Sequence, residues 1–86
     1  MQPKDIYDLF CSITDKNEMQ KLMEEILTKS EINDITLRWN LLQMLNSGHS
    51  QREIATELGV SLCKITRGAK ILKNQKGAVK KIFSME

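Results

Sequence analysis

The side chains that most often carry out chemistry in proteins are scarce in this sequence. Its 86 residues include one histidine, His49, and two cysteines, Cys11 and Cys63. A zinc site usually needs four Cys, His or carboxylate ligands at close spacing, and the sequence offers no such group. A nucleophilic mechanism would need a base and an orienting acid beside the nucleophile, and the spacing indicates neither. We therefore expect neither an enzyme nor a metal protein, and we expect both cysteines to be reduced.

The basic side chains suggest a different chemistry, the binding of a polyanion. Residues 1–49 carry five Lys and Arg against eight Asp and Glu, a net charge of −3, whereas residues 50–86 carry eight against three, a net charge of +5. A basic half on a chain whose total charge is only +2 favours a nucleic acid as partner. On charge alone, a solvated lysine-rich surface is an equally good explanation.

Length and composition indicate one domain over residues 1–86. With 41% hydrophobic and 28% charged residues the chain has an ordinary globular composition. No run approaches the roughly 18 apolar residues of a transmembrane helix, and the acidic N-terminal segment does not resemble a signal peptide. We therefore expect a cytoplasmic protein with no membrane partner.

Helical periodicity runs through the whole chain and predicts an all-α fold of about six helices. Thr28 begins a T-x-x-E capping box and Ser50 begins an S-x-x-E capping box, each marking a helix start. Gly48 and Gly59 stand where helices should end, because glycine adopts the left-handed conformation without a Cβ clash. The predicted helices cover 4–14, 16–27, 29–47, 51–58, 62–73 and 78–85.

The apolar stripes of the first two helices and the last are too wide for a chain this short to cover alone. We therefore expect a homodimer, with a compact monomeric bundle as the alternative. In the third helix, Trp39 is the only tryptophan of the chain and is expected in the core rather than at a ligand. The stripe predicted for that helix consists of Ile32, Ile35, Trp39, Leu42 and Leu45.

Residues 50–73 predict a helix-turn-helix. A short capped helix is followed by a turn at Gly59 and a longer helix, with Val60 filling the gap between them and Ile65 packing the second helix back. In this motif the second helix enters the major groove of DNA. We therefore expect a sequence-specific partner, a double-stranded DNA operator. The predicted contacts are Gln51, Arg52, Leu62, Cys63, Lys64, Thr66, Arg67, Lys70 and Lys73.

The segment from the third helix to the end of this motif resembles the Trp repressor superfamily. The stretches LTKSEINDITLRWNLLQML, SQREIATELGVS and ITRG carry the resemblance, which covers about residues 25–73. It implies an intertwined all-α homodimer in which each subunit projects one DNA-reading head. It also implies a transcriptional repressor whose corepressor, L-tryptophan, lies between the third helix and the recognition helix.

The same resemblance implies which residues hold the tryptophan. Arg38 and Arg67 would pair with its carboxylate and flank its indole, and Gly68 would let the ring approach the backbone. Leu27 and Thr28 would come from the partner subunit, near the amino group of the ligand. Guanidinium groups suit the task because they pair with carboxylates and stack on aromatic rings.

Three features depart from the Trp repressors proper. Ile71 stands where the family has a serine that helps to hold the amino group, and Glu25 stands where it has a leucine of the pocket. Glu25 could itself pair with an ammonium group. The stretch from Arg38 to Ser50 is one residue shorter, which would rotate the head relative to the core.

These departures leave simpler explanations open. Arg38 could be a surface arginine paired with Asp34 one turn earlier, and Arg67 could contact only a phosphate. The chain could then be a DNA-binding regulator of the same fold without an amino-acid corepressor. A third alternative is a helical protein-interaction module, against which the clustered bases of residues 50–86 count.

Overall fold

Six α-helices and no strand make up the computed structural model, which describes residues 2–85. The predicted all-α class is therefore confirmed, and the fourth and fifth helices have the predicted bounds. Within the described residues no helix is long and apolar enough to cross a membrane. In chain order the helices are α1 (Ile6–Cys11), α2 (Lys16–Ile26), α3 (Lys29–Asn46), α4 (Gln51–Leu58), α5 (Leu62–Lys73) and α6 (Ala78–Ser84).

Both predicted capping boxes form. The Glu31 N–H donates to the Thr28 hydroxyl at 3.1 Å, and the Glu31 carboxylate accepts from the Thr28 N–H at 2.8 Å. Glu53 and Ser50 make the same reciprocal pair at 3.1 and 3.0 Å. The two glycines that follow α3 and α4 have φ angles of +93° and +64°, the left-handed region that disfavours a Cβ. Local sequence therefore fixes both ends of α4.

Helix α1 is shorter than the predicted helix over 4–14. Asp5 caps its start, because its carboxylate accepts a backbone N–H of the first turn at 2.8 Å. At the other end the Ser12 hydroxyl donates to the Leu9 carbonyl at 2.7 Å, which adds to the bond that this carbonyl accepts from the Ser12 N–H at 3.2 Å. Asp15 caps the start of α2 in the same way. Apolar periodicity does not detect these side-chain caps, which explains the error in length.

The chain divides into two compact units, the first ending at Asn33 and the second beginning at Asp34. In the first unit α1 and α2 contain no buried residue. The second unit contains all the buried hydrophobic residues of the described chain. They are Leu41, Leu42, Ile54, Val60 and Ile65.

The buried face of α3 matches the predicted stripe only in part: Leu42 is buried and Leu45 packs against the core cluster, as predicted. Leu41, outside that stripe, is only 3% exposed, whereas Ile35 and Trp39 are 45% and 37% exposed. Trp39 instead stacks on Phe83 of α6, with ring centroids 5.2 Å apart and the ring planes inclined by 3°. The prediction that Trp39 belongs to the core is therefore wrong for the single chain. Helix α3 has a second apolar face, turned away from the buried cluster.

Candidate functional site

Residues 50–73, called the head below, form the predicted helix-turn-helix. Ile54 of α4 and Ile65 of α5 are fully enclosed, and Val60 is buried in the turn between them. These three side chains form one cluster with Leu41 of α3. Fully burying an isoleucine stabilises a fold by about 1.5–3 kcal/mol. The two helices of the head are therefore fixed to each other and to α3 by apolar packing.

The outward surface of the head carries all nine residues predicted to contact DNA. Helix α5 has four basic residues at intervals of three and no acidic one. Such a surface attracts the phosphate backbone of DNA. The nine exposed residues are Gln51, Arg52, Leu62, Cys63, Lys64, Thr66, Arg67, Lys70 and Lys73.

Hydrogen bonds within α5 determine which groups of its first turns are available to a ligand such as DNA. The Ser61 hydroxyl caps the helix by accepting from the Lys64 N–H at 3.4 Å. The Thr66 hydroxyl donates to the Leu62 carbonyl at 2.9 Å, so its oxygen remains free to accept a hydrogen bond. The exposed Leu62 side chain can contact a thymine methyl group. These turns therefore present acceptor, basic and apolar groups side by side.

A cavity of about 380 Å³ lies between α3 and α5. Its volume falls within the roughly 300–1,000 Å³ typical of small-molecule sites. Its charged wall consists of Asp34, Arg38, Lys64 and Arg67, of which the first two lie on α3. Its apolar wall consists of Leu37, Leu41, Leu42, Val60 and Ile71.

The cavity brings together three of the residues predicted to bind tryptophan. Arg38 and Arg67 line it from α3 and α5, and both side chains are exposed. Gly68 also lines it and is buried. A Cβ at Gly68 would lie 2.5 Å from Leu41 Cδ2 and 3.1 Å from Leu45 Cδ1. Glycine at this position therefore lets α5 approach α3 closely, a packing role that the sequence does not reveal.

Leu27 and Thr28 do not line the cavity. They lie in the first unit, and the resemblance assigns their role to the partner subunit. Glu25, the other residue considered for the amino group, is also absent from the wall. Ile71 does line the cavity, and its side chain has no atom that accepts a hydrogen bond. The serine function of the family therefore has no replacement at this position.

Asp34 also lines the cavity, whereas the sequence suggests only a surface position for it, as a partner of Arg38. The two lie four residues apart on α3, a spacing that places them on one face of the helix. This spacing is the one sequence feature that could have predicted that Asp34 lies near the cavity with Arg38. Among residues 2–85, the Asp34–Arg38 ion pair of the alternative explanation does not form.

Lys64 and Arg67 belong to both surfaces. They line the cavity and also stand among the exposed residues of α5 predicted to contact DNA. A molecule in the cavity can therefore alter the position of side chains that DNA would meet. This shared membership is a physical route for coupling two binding sites.

The single histidine lies just before α4. His49 Nδ1 is 3.6 Å from a carboxylate oxygen of Glu53. Hydrogen bonds from the backbone and the hydroxyl of Ser50, with a smaller contribution from His49, hold the pKa of Glu53 below 4.5. Cys11 and Cys63 are exposed and unbridged. Within residues 2–85, no group of three or more His, Cys, Asp or Glu is placed to hold a metal ion.

Comparison with known proteins identifies a family and several relatives. The sequence model of the family described as "Trp repressor protein" matches residues 2–86. The chain is similar to a Trp operon repressor homolog of Xylella fastidiosa, with 44% identity over 62 residues, 71% of this chain and 67% of the relative. For the homolog of Vibrio parahaemolyticus the identity is 37% over 76 residues, covering 87% and 74%. For that of Chlamydia trachomatis serovar D it is 31% over 85 residues, covering 93% and 90%. No solved structure gives a significant match.

Proposed function

Because the chain belongs to the Trp repressor family, we propose that it is a DNA-binding transcriptional repressor that acts as a homodimer with L-tryptophan as corepressor. Residues 1–86 act as one DNA-binding domain, and its place of action is the cytoplasm. The observation that carries this proposal is the cavity between α3 and α5, lined by Arg38 and Arg67. It joins a ligand-sized space to the helix that reads DNA.

DNA recognition uses the exposed surface of the head. Helix α5 enters the major groove, where side chains reach the edges of the bases. Lys64 contacts a guanine edge or a phosphate, and Leu62 contacts a thymine methyl group. Arg52, Lys70 and Lys73 hold the phosphates on either side and set the orientation of the head. The nine exposed residues thus divide into those that specify sequence and those that position the protein.

L-Tryptophan occupies the cavity and fixes the angle of α5. The guanidinium groups of Arg38 and Arg67 pair with its carboxylate and flank its indole. The apolar wall receives the rest of the ring. Because Arg67 also faces DNA, the ligand binds best to the conformation that DNA selects. A ligand can shift the head only through such a difference in affinity between two conformations.

The homodimer provides the cover that the N-terminal helices lack. Helices α1 and α2 bury no residue, and Ile6 and Ile26 are 45% and 47% exposed. A second copy of the chain covers these apolar side chains. Leu27 and Thr28 of the partner subunit then complete the ligand site near the amino group.

The proposal is tested by selecting genomic DNA fragments with the purified chain, in the presence and absence of millimolar L-tryptophan. We expect one or a few fragments to be enriched, and to be bound more tightly with the amino acid. Enrichment of the same fragments without any response to tryptophan contradicts the corepressor. Sequence-independent binding in both conditions contradicts the repressor.

Arg38 separates the ligand from the DNA, because it lies on α3 outside the head. Arg38→Ala should abolish the response to tryptophan and leave the weak ligand-free DNA binding as it was. Loss of a charged hydrogen-bond partner weakens ligand binding by about 1.5–3 kcal/mol, with the lower end expected for an exposed arginine. Lys29→Ala, on the same helix but outside the cavity wall, is the matched control and should respond as the wild type does.

A second candidate function is regulation by the same fold without an amino-acid corepressor. Ile71 favours it, because this side chain on the cavity wall offers an amino group no acceptor. This candidate predicts intact operator binding whose affinity does not depend on tryptophan. The fragment selection therefore distinguishes the two candidates directly.

A further inference from the structure

The cavity between α3 and α5 contains one acidic side chain that the proposed function leaves unused. Asp34 lines it, as do Arg38 of the same helix and Lys64 and Arg67 of α5. Three positive groups and one negative group therefore border the same space. A site for a simple anion has no use for the negative group.

The two charges on α3 remain available to a ligand. Asp34 and Arg38 stand one helical turn apart on the same face, which is the spacing of a favourable ion pair. Even so, Asp34 takes part in none of the ion pairs that form among residues 2–85. Because neither group neutralises the other, a ligand that carries both signs of charge can pair with both.

An α-amino acid is such a ligand, because its carboxylate and its ammonium group are attached to one carbon atom. The arginines provide donors for the carboxylate, whereas an ammonium group needs an acceptor. Ile71 and the rest of the apolar wall have none. Asp34 is the only side chain with an acceptor among the described residues that line the cavity.

Building on the proposed function, we propose that Asp34 binds the ammonium group of the amino acid. This contact makes the cavity selective for an α-amino acid over the same molecule without its amino group. Asp34 is thus a specificity-determining residue, and it performs from α3 the task that Ile71 cannot perform from α5.

The test is a calorimetric titration of the purified chain with L-tryptophan and with 3-(indol-3-yl)propanoate, which differ by the ammonium group. The wild type should prefer L-tryptophan by roughly tenfold, the effect of one charge-assisted hydrogen bond. Asp34→Asn preserves the shape of the side chain and removes its charge. This variant should lose most of that preference because it binds L-tryptophan more weakly. Its affinity for 3-(indol-3-yl)propanoate should be unchanged or higher.

The matched control is Glu25→Gln, because Glu25 is an acid outside the cavity wall that could also meet an ammonium group. This variant should keep the wild-type preference, and circular dichroism should show that both variants remain folded. Loss of the preference in Glu25→Gln but not in Asp34→Asn overturns the assignment to Asp34 and leaves the corepressor in place. A wild type that binds both compounds equally overturns it as well. A wild type that binds neither overturns the proposed corepressor itself.

Discussion

The head and the two N-terminal helices bury their apolar side chains in different ways. Ile54 and Ile65 of the head are fully enclosed within a cluster that the head and α3 complete together. In α1 and α2, Ile6 and Ile26 remain almost half exposed and no residue is buried. The packing of the head is therefore complete within one chain, whereas the apolar side chains of the N-terminal helices are left for the proposed second copy to cover. This difference in burial is what the proposed dimeric DNA-binding protein requires.

The two halves of the chain that contain these regions also differ in charge. Residues 1–49 have a net charge of −3 and residues 50–86 have a net charge of +5. A polyanion is therefore attracted to the half that contains the head, and the acidic half is left for contacts of another kind. The difference in burial and the difference in charge can be tested separately.

The largest effect is expected from truncating the core of the head. Ile54→Ala should lower the free energy of unfolding by about 2–5 kcal/mol, because it removes packed methyl groups and leaves a cavity. Ile26→Ala, at a half-exposed position of α2, should instead weaken the association of two chains. Denaturant unfolding measures the first effect, and light scattering over a range of protein concentrations measures the second.

The wild type should scatter as a dimer of the 9.9 kDa chain at micromolar concentration, and its stability should rise with concentration. A monomer under these conditions contradicts the dimer. Ile26→Ala could instead prove as destabilising as Ile54→Ala, with no change in association. That result would contradict the inference that the two regions bury their apolar side chains in different ways.

A smaller effect is expected from removing basic side chains of the head. Lys64→Ala and Arg52→Ala should weaken operator binding without changing the fold. If the side chain contacts a base, the binding free energy should fall by about 1–3 kcal/mol, by an amount that differs between operator variants. If it contacts a phosphate, the loss should be uniform, and the slope of log affinity against log salt concentration should fall by roughly one unit. Lys16→Ala, on α2, is the control. Unchanged DNA affinity in both head variants would show that another surface reads the DNA.

The smallest effect concerns the Ser50–Glu53 capping box of the head. Glu53, in the head, has a lowered pKa, so it favours folding at pH values above its unfolded pKa. That contribution disappears as the pH falls below 4.5 through the folded pKa. Because glutamine can also close a capping box, Glu53→Gln isolates the charge. Its deficit in melting temperature should be present at pH 6 and shrink progressively as the pH falls below 4.5. A deficit that stays constant with pH contradicts the role of the charge.

The sequence predicts the head better than the rest of the chain, for physical reasons. The bounds of α4 and α5 follow from Ser50, Gly59 and Ser61, whose hydrogen bonds and φ angle act within one turn. Helix α1 ends early because polar caps, not apolar spacing, set its length. Leu41 escapes prediction because α3 has two apolar faces, and only tertiary packing shows which one the head covers.

Some residues of the candidate site are likewise predictable from the sequence, and one is not. Arg38 and Arg67 are identified by their place in a family motif, and the structure brings both to one cavity. Asp34 carries no such signal, because an acid four residues before an arginine on a helix is common on protein surfaces. Asp34 lies at the cavity only because α5 packs against α3, and residue spacing along the sequence does not predict that packing.

In the proposed function the cavity couples an amino acid to DNA binding, and reciprocal titration measures this coupling. Fluorescence anisotropy gives the affinity for a labelled operator fragment with and without L-tryptophan, and calorimetry gives the affinity for L-tryptophan with and without that fragment. Linkage requires both affinities to change by the same factor. We predict a common factor well above one for the wild type and close to one for Arg38→Ala. A wild-type factor of one in both titrations would contradict the account.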